Sequence, residues 1–229
     1  MTQIFLDTAN LEEIDKYLKQ GIISGVTTNQ KIFLKEKGCN FEERAQQILE
    51  AVYPLPVSLE GPNDYDGIIK AALNYQKWKS KKFGNLNNLV IKVPMLANGD
   101  GLKAVLRLDT IFRIKVNVTA CMTLNQAFLA ASAGATYVSL FYCRMKDWLD
   151  EEYALDTIKQ TMKLFKGGKT QLIIGSIRSP DDITKILSVQ PDIITIPPKI
   201  LEQMPQNDMT DKTLKEFEEA WTEFKKAEK

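Results

Sequence analysis

The sequence predicts a single α/β domain, a (β/α)8 TIM barrel, followed by one additional helix. Eight short β-rich runs alternate with helical patterns along the whole chain. Consecutive runs start about 20 to 35 residues apart, which is the length of a repeated βα unit. No Gly/Ser-rich linker and no change in composition divides the 229 residues. A doubly wound sheet with about six such units is the competing interpretation.

The predicted strands are eight apolar runs of five to seven residues. In chain order they are QIFLDT from Gln3, GVTTN from Gly25, PVSLEG from Pro56, LVIKVP from Leu89, KVNVTAC from Lys115, TYVSLFY from Thr136, QLIIGSI from Gln171 and DIITIP from Asp192. The segments between them carry apolar residues at three- and four-residue steps, which is typical of helices. The segment NFEERAQQILEAV opens with Asn40 and has Glu43 three residues later, a capping-box pattern.

Composition limits the partners and the location that we expect. The formal net charge is +1, with 30 basic and 29 acidic residues, so a nucleic-acid partner is not favoured. The N-terminus becomes polar within seven residues, and no apolar run approaches the ~20 residues of a membrane span. The three cysteines, Cys39, Cys121 and Cys143, have an odd count and no CxxC spacing. We therefore expect a cytoplasmic protein with reduced thiols.

The chain contains no histidine, which restricts its possible chemistry. Histidine-based triads and the common histidine metal sites are excluded. Acid–base chemistry must therefore use carboxylates, lysine, tyrosine, cysteine or water.

Polar side chains recur near the ends of seven predicted strands. They are Asp7, Thr28, Asn29, Glu60, Lys92, Asn117, Thr119, Ser139, Ser176 and Arg178. Any one of them could be a helix cap or a satisfied core group. Parallel barrels, however, bring the carboxyl ends of all their strands to one mouth, where their active sites lie. The set as a whole predicts a functional site there.

Lys92 stands in the middle of an otherwise apolar strand. A lysine that points into a barrel is partly desolvated, and desolvation favours the neutral amine, which is a nucleophile. Such an amine forms a Schiff base with a ketone, and a carboxylate such as Asp7 or Glu60 could then move protons on the substrate hydroxyl. The alternative is a structural lysine that reaches the rim or pairs with one of these carboxylates.

Two arginines follow the sixth and seventh strands. Arg144 and Arg178 could each bind phosphate or sulfonate oxygens through a guanidinium fork. Ser176 and the helix start after Pro180 could add hydroxyl and amide donors. The sequence thus predicts a substrate with an anionic tail, while surface ion pairs are the alternative for each arginine.

Five collinear blocks resemble the short-chain transaldolase and fructose 6-phosphate aldolase family. They are IFLDTAN, GVTTN, VIKVPM, VNVTACMTLNQAFLAASAGATYVSLFYCR and IIGSIRSPDDI, and the resemblance runs from Phe5 to about Met204. It implies a (β/α)8 barrel, Schiff-base chemistry without metal or cofactor, and assembly as decamers of two five-membered rings.

The resemblance implies catalytic roles for four residues. Lys92 matches the Schiff-base lysine, and Asp7 matches the acid–base aspartate near the substrate hydroxyls. Glu60 and Thr119 match the pair that holds the catalytic water in transaldolases. Aldolase members tend to carry glutamine at the Glu60 position.

It also implies a set of substrate contacts. Asn29 and Asn117 match residues that hydrogen-bond the dihydroxyacetone portion of the substrate, and Ser139 stands at a substrate-contacting position. Thr28, beside Asn29 in GVTTN, is assigned to the same part of the site.

The resemblance also implies residues that bind the anionic end of the substrate. Arg144, Ser176 and Arg178 match the anion-binding group. Phe141 stands where aldolase-type members tend to have tyrosine, which favours transfer over free aldol cleavage.

The chain departs from the family pattern at several positions. Gln30 replaces the proline of TTNP, and Leu140 and Cys143 depart from the usual SPF.GR block. Tyr142 puts a bulky side chain beside Phe141, and LEGPND after the third strand is unlike the usual continuation. These changes leave open which donor and acceptor sugars are used, and whether the tail is a phosphate or a sulfonate.

The leading functional hypothesis is a transaldolase that moves a dihydroxyacetone unit from a ketose phosphate, such as sedoheptulose 7-phosphate or fructose 6-phosphate, to an aldose phosphate. A dihydroxyacetone-using aldolase is the close alternative. A barrel that binds sugar phosphates without turnover is the alternative of another class.

The predicted domain covers residues 1–209, and residues 210–229 form the additional helix, capped by Thr210 or Asp211. Its apolar stripe consists of Leu214, Phe217, Ala220, Trp221 and Phe224. Because the barrel units are already complete, we expect this helix to pack on a neighbouring subunit of a homo-oligomer. Packing on its own barrel is the alternative.

Overall fold

The computed structural model describes residues 1–228 and contains a closed barrel of eight parallel strands. The strands are β1 (Gln3–Asp7), β2 (Gly25–Thr27), β3 (Val57–Glu60), β4 (Leu89–Pro94), β5 (Lys115–Cys121), β6 (Tyr137–Phe141), β7 (Gln171–Gly175) and β8 (Ile193–Ile196). Each strand pairs with its neighbours in the sequence, and β1 closes the barrel by pairing with β8. The prediction of a (β/α)8 barrel is confirmed, and the doubly wound alternative is wrong.

Helices between the strands cover the outside of the barrel, and a last helix at the C-terminal end has no buried residue. They are α1 (Leu11–Lys19), α2 (Gln30–Phe33), α3 (Phe41–Ala51), α4 (Tyr65–Tyr75), α5 (Asp100–Arg107), α6 (Leu124–Ser132), α7 (Tyr142–Trp148), α8 (Glu151–Phe165), α9 (Pro180–Leu187), α10 (Pro198–Gln203) and α11 (Asp208–Ala227). A π-helical turn, Leu108–Phe112, follows α5, and a short antiparallel hairpin pairs Lys79–Ser80 with Gly84–Asn85.

The additional helix is present but begins earlier than predicted. α11 starts at Asp208, and the side chain of Asn207 accepts hydrogen bonds from the backbone N–H groups of Met209 and Thr210. The predicted caps, Thr210 and Asp211, therefore lie inside the helix. Asparagine is a preferred N-cap residue, so the earlier start follows from ordinary capping chemistry.

The barrel interior is filled at its lower end by an apolar plug. Phe5, Val90, Tyr137, Ile173 and Ile193 contact one another and form a cluster separate from the main core between strands and helices. Gly25 lies against this plug, because a Cβ at that position would stand 2.7 Å from the Phe5 ring. The plug closes the barrel below the level of the polar residues.

The plug determines which residues face the mouth. Side chains two residues apart on a strand point to the same face. The residues two positions after the plug residues are Asp7, Lys92, Ser139, Gly175 and Thr195. These five positions form the next level of the barrel interior, toward the carboxyl ends of the strands.

Candidate active site

A pocket opens at the carboxyl ends of the strands, directly above the plug. Its lining consists of Asp7, Thr27, Asn29, Lys92, Thr119, Ser139, Phe141, Arg144, Gly175, Ser176 and Thr195. Eight of the twelve residues predicted for the site are in this set. The other four, Thr28, Glu60, Asn117 and Arg178, lie behind the lining or outside it.

Lys92 is held at the base of the pocket by two oxygen atoms. Its Nζ donates a hydrogen bond to the carbonyl oxygen of Thr28 at 2.8 Å and lies 3.4 Å from Oε2 of Glu60. Only 7% of the side chain is exposed. The register between β3 and β4 places Glu60 directly beside Lys92. A buried ammonium requires such partners, because an uncompensated one costs several kcal/mol.

Asp7 faces Lys92 from β1. Its Oδ1 accepts a hydrogen bond from Oγ1 of Thr27 at 2.7 Å, and the Thr27 hydroxyl also contacts the hydroxyl of Thr195. Burial raises the pKa of Asp7 above its ordinary value, and this effect outweighs the opposing attraction of Lys92 and the hydrogen bond from Thr27. A carboxyl group with a raised pKa is suited to hold and release a proton during catalysis.

Thr119 presents a buried hydroxyl to the pocket. Among residues 1–228 its Oγ1 has no hydrogen-bond partner. Leaving a buried hydroxyl unpaired costs roughly 1–3 kcal/mol, so such a group is well placed to bind a water molecule or a substrate oxygen.

A hydrogen-bonded chain orients Ser139. Its Oγ donates to Oδ1 of Asn117 at 2.8 Å, and Nδ2 of Asn117 donates to Oγ of Ser58 at 3.2 Å. Asn117 is fully buried and does not line the pocket, unlike the direct contact that the sequence predicted. In this conformation it supports Ser139 from behind.

The residues after β2 are fixed by local bonds. The hydroxyl of Thr28 donates to the carbonyl oxygen of Ser58 at 2.8 Å, so Thr28 is a structural partner of Lys92 rather than part of the lining. Asn29 lines the pocket, and its Oδ1 caps α2 by accepting from the N–H of Ile32. Gln30 donates to the carbonyl oxygen of Gly61 at 3.2 Å, which joins the loops after β2 and β3.

Arg144 and Ser176 stand together on one side of the mouth. The Arg144 guanidinium carbon lies 5.4 Å from the centre of the Phe141 ring, and the part of the chain that the structure describes offers it no salt bridge. Ser176 adopts a φ of 63°, in the left-handed region that few non-glycine residues occupy. Both residues line the pocket.

Arg178 was predicted to join this group, but it does not line the pocket. Its guanidinium donates to Oδ2 of Asp147 at 2.6 Å, and 55% of the side chain is exposed. The backbone N–H groups of Arg178 and Ser179 both donate to Oδ2 of Asp182. The start of α9 is therefore satisfied by its own capping box, and those two amides are not available to a substrate.

Three pocket residues were missed from the sequence. Thr27, Gly175 and Thr195 line the site, yet none was selected as a candidate. Thr195 could have been found, because it is a polar residue two positions after the plug residue Ile193. Gly175 gives no such signal, since its role is to leave space beside Thr195: a Cβ there would lie 3.3 Å from Thr195 Cγ2.

The described residues bring together no group of three or more histidine, cysteine, aspartate or glutamate side chains able to hold a metal ion. No helix within residues 1–228 is long and apolar enough to cross a membrane.

Comparison with solved structures bears on the fold. The crystal structure of KGPDC from Streptococcus mutans superposes with a TM-score of 0.57 over 86% of this chain and 88% of that chain. The two sequences are only 13% identical, so the likeness concerns the barrel and carries nothing about the reaction.

Comparison with known sequences bears on the family. The chain is 37% identical to a "Probable transaldolase" of Anaeromyxobacter sp. (strain K), over 99% of this chain and all of that protein. It is 38% identical to a "Probable transaldolase" of Petrotoga mobilis, over 97% and 96%, and 37% identical to "Probable transaldolase 2" of Bacillus cereus, over 98% and 99%. Residues 4–229 match a family model described as transaldolase/fructose-6-phosphate aldolase. The chain belongs to the transaldolase/fructose-6-phosphate aldolase family.

Proposed function

We propose that this protein is a transaldolase that transfers a dihydroxyacetone unit from a ketose phosphate to an aldose phosphate through a Schiff base on Lys92. The observation that carries the proposal is the buried Nζ of Lys92, held within 3.4 Å of Glu60 at the base of a pocket that Asp7 also lines. Fructose 6-phosphate and sedoheptulose 7-phosphate are the donors we expect.

In the first step the Lys92 ammonium gives up a proton, for which Glu60 is the nearest carboxylate. The amine then attacks the ketose carbonyl carbon, and the resulting carbinolamine loses water to give an iminium. Glu60 and Thr119 are the groups we expect to hold this water, because the Thr119 hydroxyl has no other partner within residues 1–228. The iminium draws electrons from the adjacent carbon–carbon bond.

Bond cleavage requires a base at the hydroxyl of the carbon that departs as the aldehyde. Asp7 takes this proton as the carbon–carbon bond breaks, and the electron pair of the bond moves into the iminium to form an enamine. The aldose leaves, and a second aldehyde takes its place. The enamine carbon attacks the new carbonyl, Asp7 returns the proton to the alkoxide, and water hydrolyses the new iminium to free Lys92.

The other end of the substrate needs an anion site. Arg144 and Ser176 face the pocket at one side of its mouth and can donate to the oxygens of a phosphate tail. A barrel that only binds sugar phosphates would need this pair, but it would have no use for a buried amine. For that reason the non-catalytic alternative is not favoured.

The family also contains aldolases, which release dihydroxyacetone, and Phe141 bears on this choice. Phe141 lines the pocket and has no hydroxyl with which to protonate the enamine carbon. We therefore expect the enamine to persist until an acceptor aldehyde arrives. The test is to measure release of dihydroxyacetone from fructose 6-phosphate with and without an aldose phosphate acceptor.

The expected result is rapid transfer when the acceptor is present and slow release when it is absent. Phe141→Tyr should raise release relative to transfer, whereas Phe128→Tyr, the same change at an exposed position on α6, should not. Equal rates of release with and without acceptor would assign the protein to the aldolases instead.

We further propose that the protein acts in the cytoplasm as a homo-oligomer, with a decamer of two five-membered rings as the expected form. The support is the apolar stripe of α11: Leu214, Phe217, Trp221 and Phe224 are all exposed in the single chain. A free surface of this kind requires a cover, and a second copy of the chain supplies one.

A further inference from the structure

A buried carboxylate lies just outside the pocket and takes no part in the reaction described above. Asp182, in the first turn of α9, has only 3% of its side chain exposed. Its Oδ1 pairs with Nζ of Lys146 at 2.7 Å, and its Oδ2 accepts from Sγ of Cys143 at 3.2 Å. The backbone N–H groups of Arg178 and Ser179 donate to the same Oδ2 at 3.1 and 3.0 Å.

These bonds join two segments that each carry a pocket residue. Cys143 and Lys146 belong to α7, the short helix that also carries Arg144. The amides that Asp182 binds belong to the loop that begins with Ser176. A backbone bond from the N–H of Cys143 to the carbonyl oxygen of Ser176, 3.3 Å long, ties the two segments directly. Asp182 is therefore bonded to both segments that carry the proposed anion site, though not to Arg144 or Ser176 directly.

We propose that Asp182 is a positioning residue for the anion site: it holds Arg144 and Ser176 at the separation that lets both bind one anionic tail. The proposal rests on the proposed function only for the identity of that tail as part of a sugar substrate. The left-handed backbone of Ser176 is consistent with such a role, because a strained residue keeps its conformation only where its surroundings impose it.

A simple helix cap would not require this arrangement. Capping of α9 needs only the reciprocal bonds between Ser179 and Asp182, each side chain accepting from the backbone N–H of the other. The bonds from Cys143 and Lys146 come from a different helix and add nothing to the cap. Cys143 also replaces the glycine of the family pattern, and glycine has no side chain that could donate to Asp182.

A second departure supports the same cluster. The Lys146 ammonium lies 5.3 Å from the centre of the Tyr142 ring, so this aromatic side chain helps to hold the ammonium against Asp182. Tyr142 and Cys143, two of the residues by which this chain departs from the family, therefore belong to one cluster beside the proposed anion site.

A positioning role and a purely electrostatic role of Asp182 predict opposite changes in anion affinity when its charge is removed. Asp182→Asn removes a negative charge near the anion site, which by Coulomb's law should tighten anion binding. Loss of positioning should weaken it. The probe is inorganic phosphate, whose dissociation constant is measured by calorimetry and by competition with the ketose phosphate. Because phosphate binding requires no imine, it remains measurable even if the protein proves not to be a transaldolase.

We expect Asp182→Asn to weaken phosphate binding about 10-fold and to raise KM for a ketose phosphate by a similar factor. Its kcat should change by less than about 3-fold, and its kinetics with an unphosphorylated ketose should be unaltered. Asp181→Asn is the matched control, because the neighbouring carboxylate is exposed and, within residues 1–228, pairs only with Lys185. Arg144→Ala shows that phosphate occupies this site if it abolishes binding.

Unchanged or tighter phosphate binding in folded Asp182→Asn would overturn the proposal, as would an equal loss for charged and uncharged ketoses, which is the mark of a purely structural role. A wild-type protein that binds no phosphate would overturn it as well. If Asp182→Asn does not fold, Cys143→Ala replaces it, since this change alters no charge at neutral pH. We then expect phosphate binding about 2- to 3-fold weaker, and unaltered binding would contradict the proposal.

Discussion

The barrel mouth buries charged side chains, whereas the C-terminal helix exposes aromatic ones. At the mouth, the ammonium of Lys92 and the carboxylate of Glu60 are almost fully buried. On α11, the side chains of Phe217, Trp221 and Phe224 are 66%, 60% and 52% exposed. Charged groups normally lie outside and aromatic groups inside, so each region departs from the usual distribution.

The two departures carry different costs. At the mouth, the desolvation of the Lys92 ammonium is offset by its hydrogen bond to Thr28 and its ion pair with Glu60, so this part of the site is preorganised before any ligand arrives. On α11, the single chain leaves the aromatic rings exposed to water. It therefore lacks the stabilisation that their burial would give, roughly 25 cal/mol per Å² of apolar surface. The mouth therefore points to a small polar ligand, and the helix points to a protein surface.

The largest effect should come from removing the buried amine. Lys92→Met keeps the length of the side chain but cannot form an imine, so we expect the transfer rate to fall at least ~10³-fold. The measurement is single-turnover and steady-state transfer from fructose 6-phosphate. Lys70→Met, at an exposed position on α4, is the control and should stay within about 2-fold of wild type. Full activity of Lys92→Met would show that the buried amine at the mouth is not needed for the reaction.

The second largest effect concerns Asp7, whose replacement by asparagine should lower activity but raise stability at neutral pH. Asp7→Asn should lower transfer about 10²- to 10⁴-fold, because asparagine cannot exchange a proton with the substrate hydroxyl. Burial raises the pKa of Asp7, so the native state binds this proton more tightly than the unfolded chain does. The contribution of Asp7 to stability consequently falls as pH rises from its ordinary pKa toward the raised one.

At neutral pH the native protein thus carries the cost of a buried carboxylate, and Asp7→Asn should raise Tm there. Tm measured against pH should show the gain disappear in acid. Asp15→Asn, at an exposed position on α1, is the control and should show no such gain. A lower Tm for Asp7→Asn at neutral pH would mean that the bond from Thr27 outweighs the cost of burial.

A third and smaller effect distinguishes the two arginines. Arg144→Ala should cost roughly 1.5–3 kcal/mol of binding to a ketose phosphate, the range for a lost charge-assisted hydrogen bond. Arg178→Ala should cost less of this binding, because the Arg178 guanidinium pairs with Asp147 and does not line the pocket. KM for phosphorylated and unphosphorylated ketoses gives both values. Equal losses for the two variants would restore Arg178 to the anion site.

The pocket residues on the strands could be predicted from the sequence more readily than those on the loops that follow the strands, for a physical reason. The two-residue period of strands and the shared mouth of parallel barrels are local and general, so Asp7, Lys92 and Ser139 could be placed from their runs alone. The position of Arg178 could not be predicted in this way, because its partner Asp147 lies 31 residues earlier, on α7. No sequence pattern shows that contact.

The smallest effect on activity concerns α11. A chain truncated after Met209 should lose the apolar stripe and fall from an oligomer to smaller species, while transfer per chain changes by only a few-fold, since α11 supplies no pocket residue. Light scattering measures the mass directly. An intact protein with the 26.0 kDa mass of one chain at micromolar concentration would contradict the assignment of α11 to an interface.

The most direct test of the central claim is to trap the imine. The protein is treated with borohydride in the presence of fructose 6-phosphate, digested and analysed by mass spectrometry. We expect one modified peptide, carrying a reduced three-carbon adduct on Lys92, and no adduct in Lys92→Met. An adduct on a different lysine, or active enzyme that gives no adduct, would show that Lys92 is not the nucleophile.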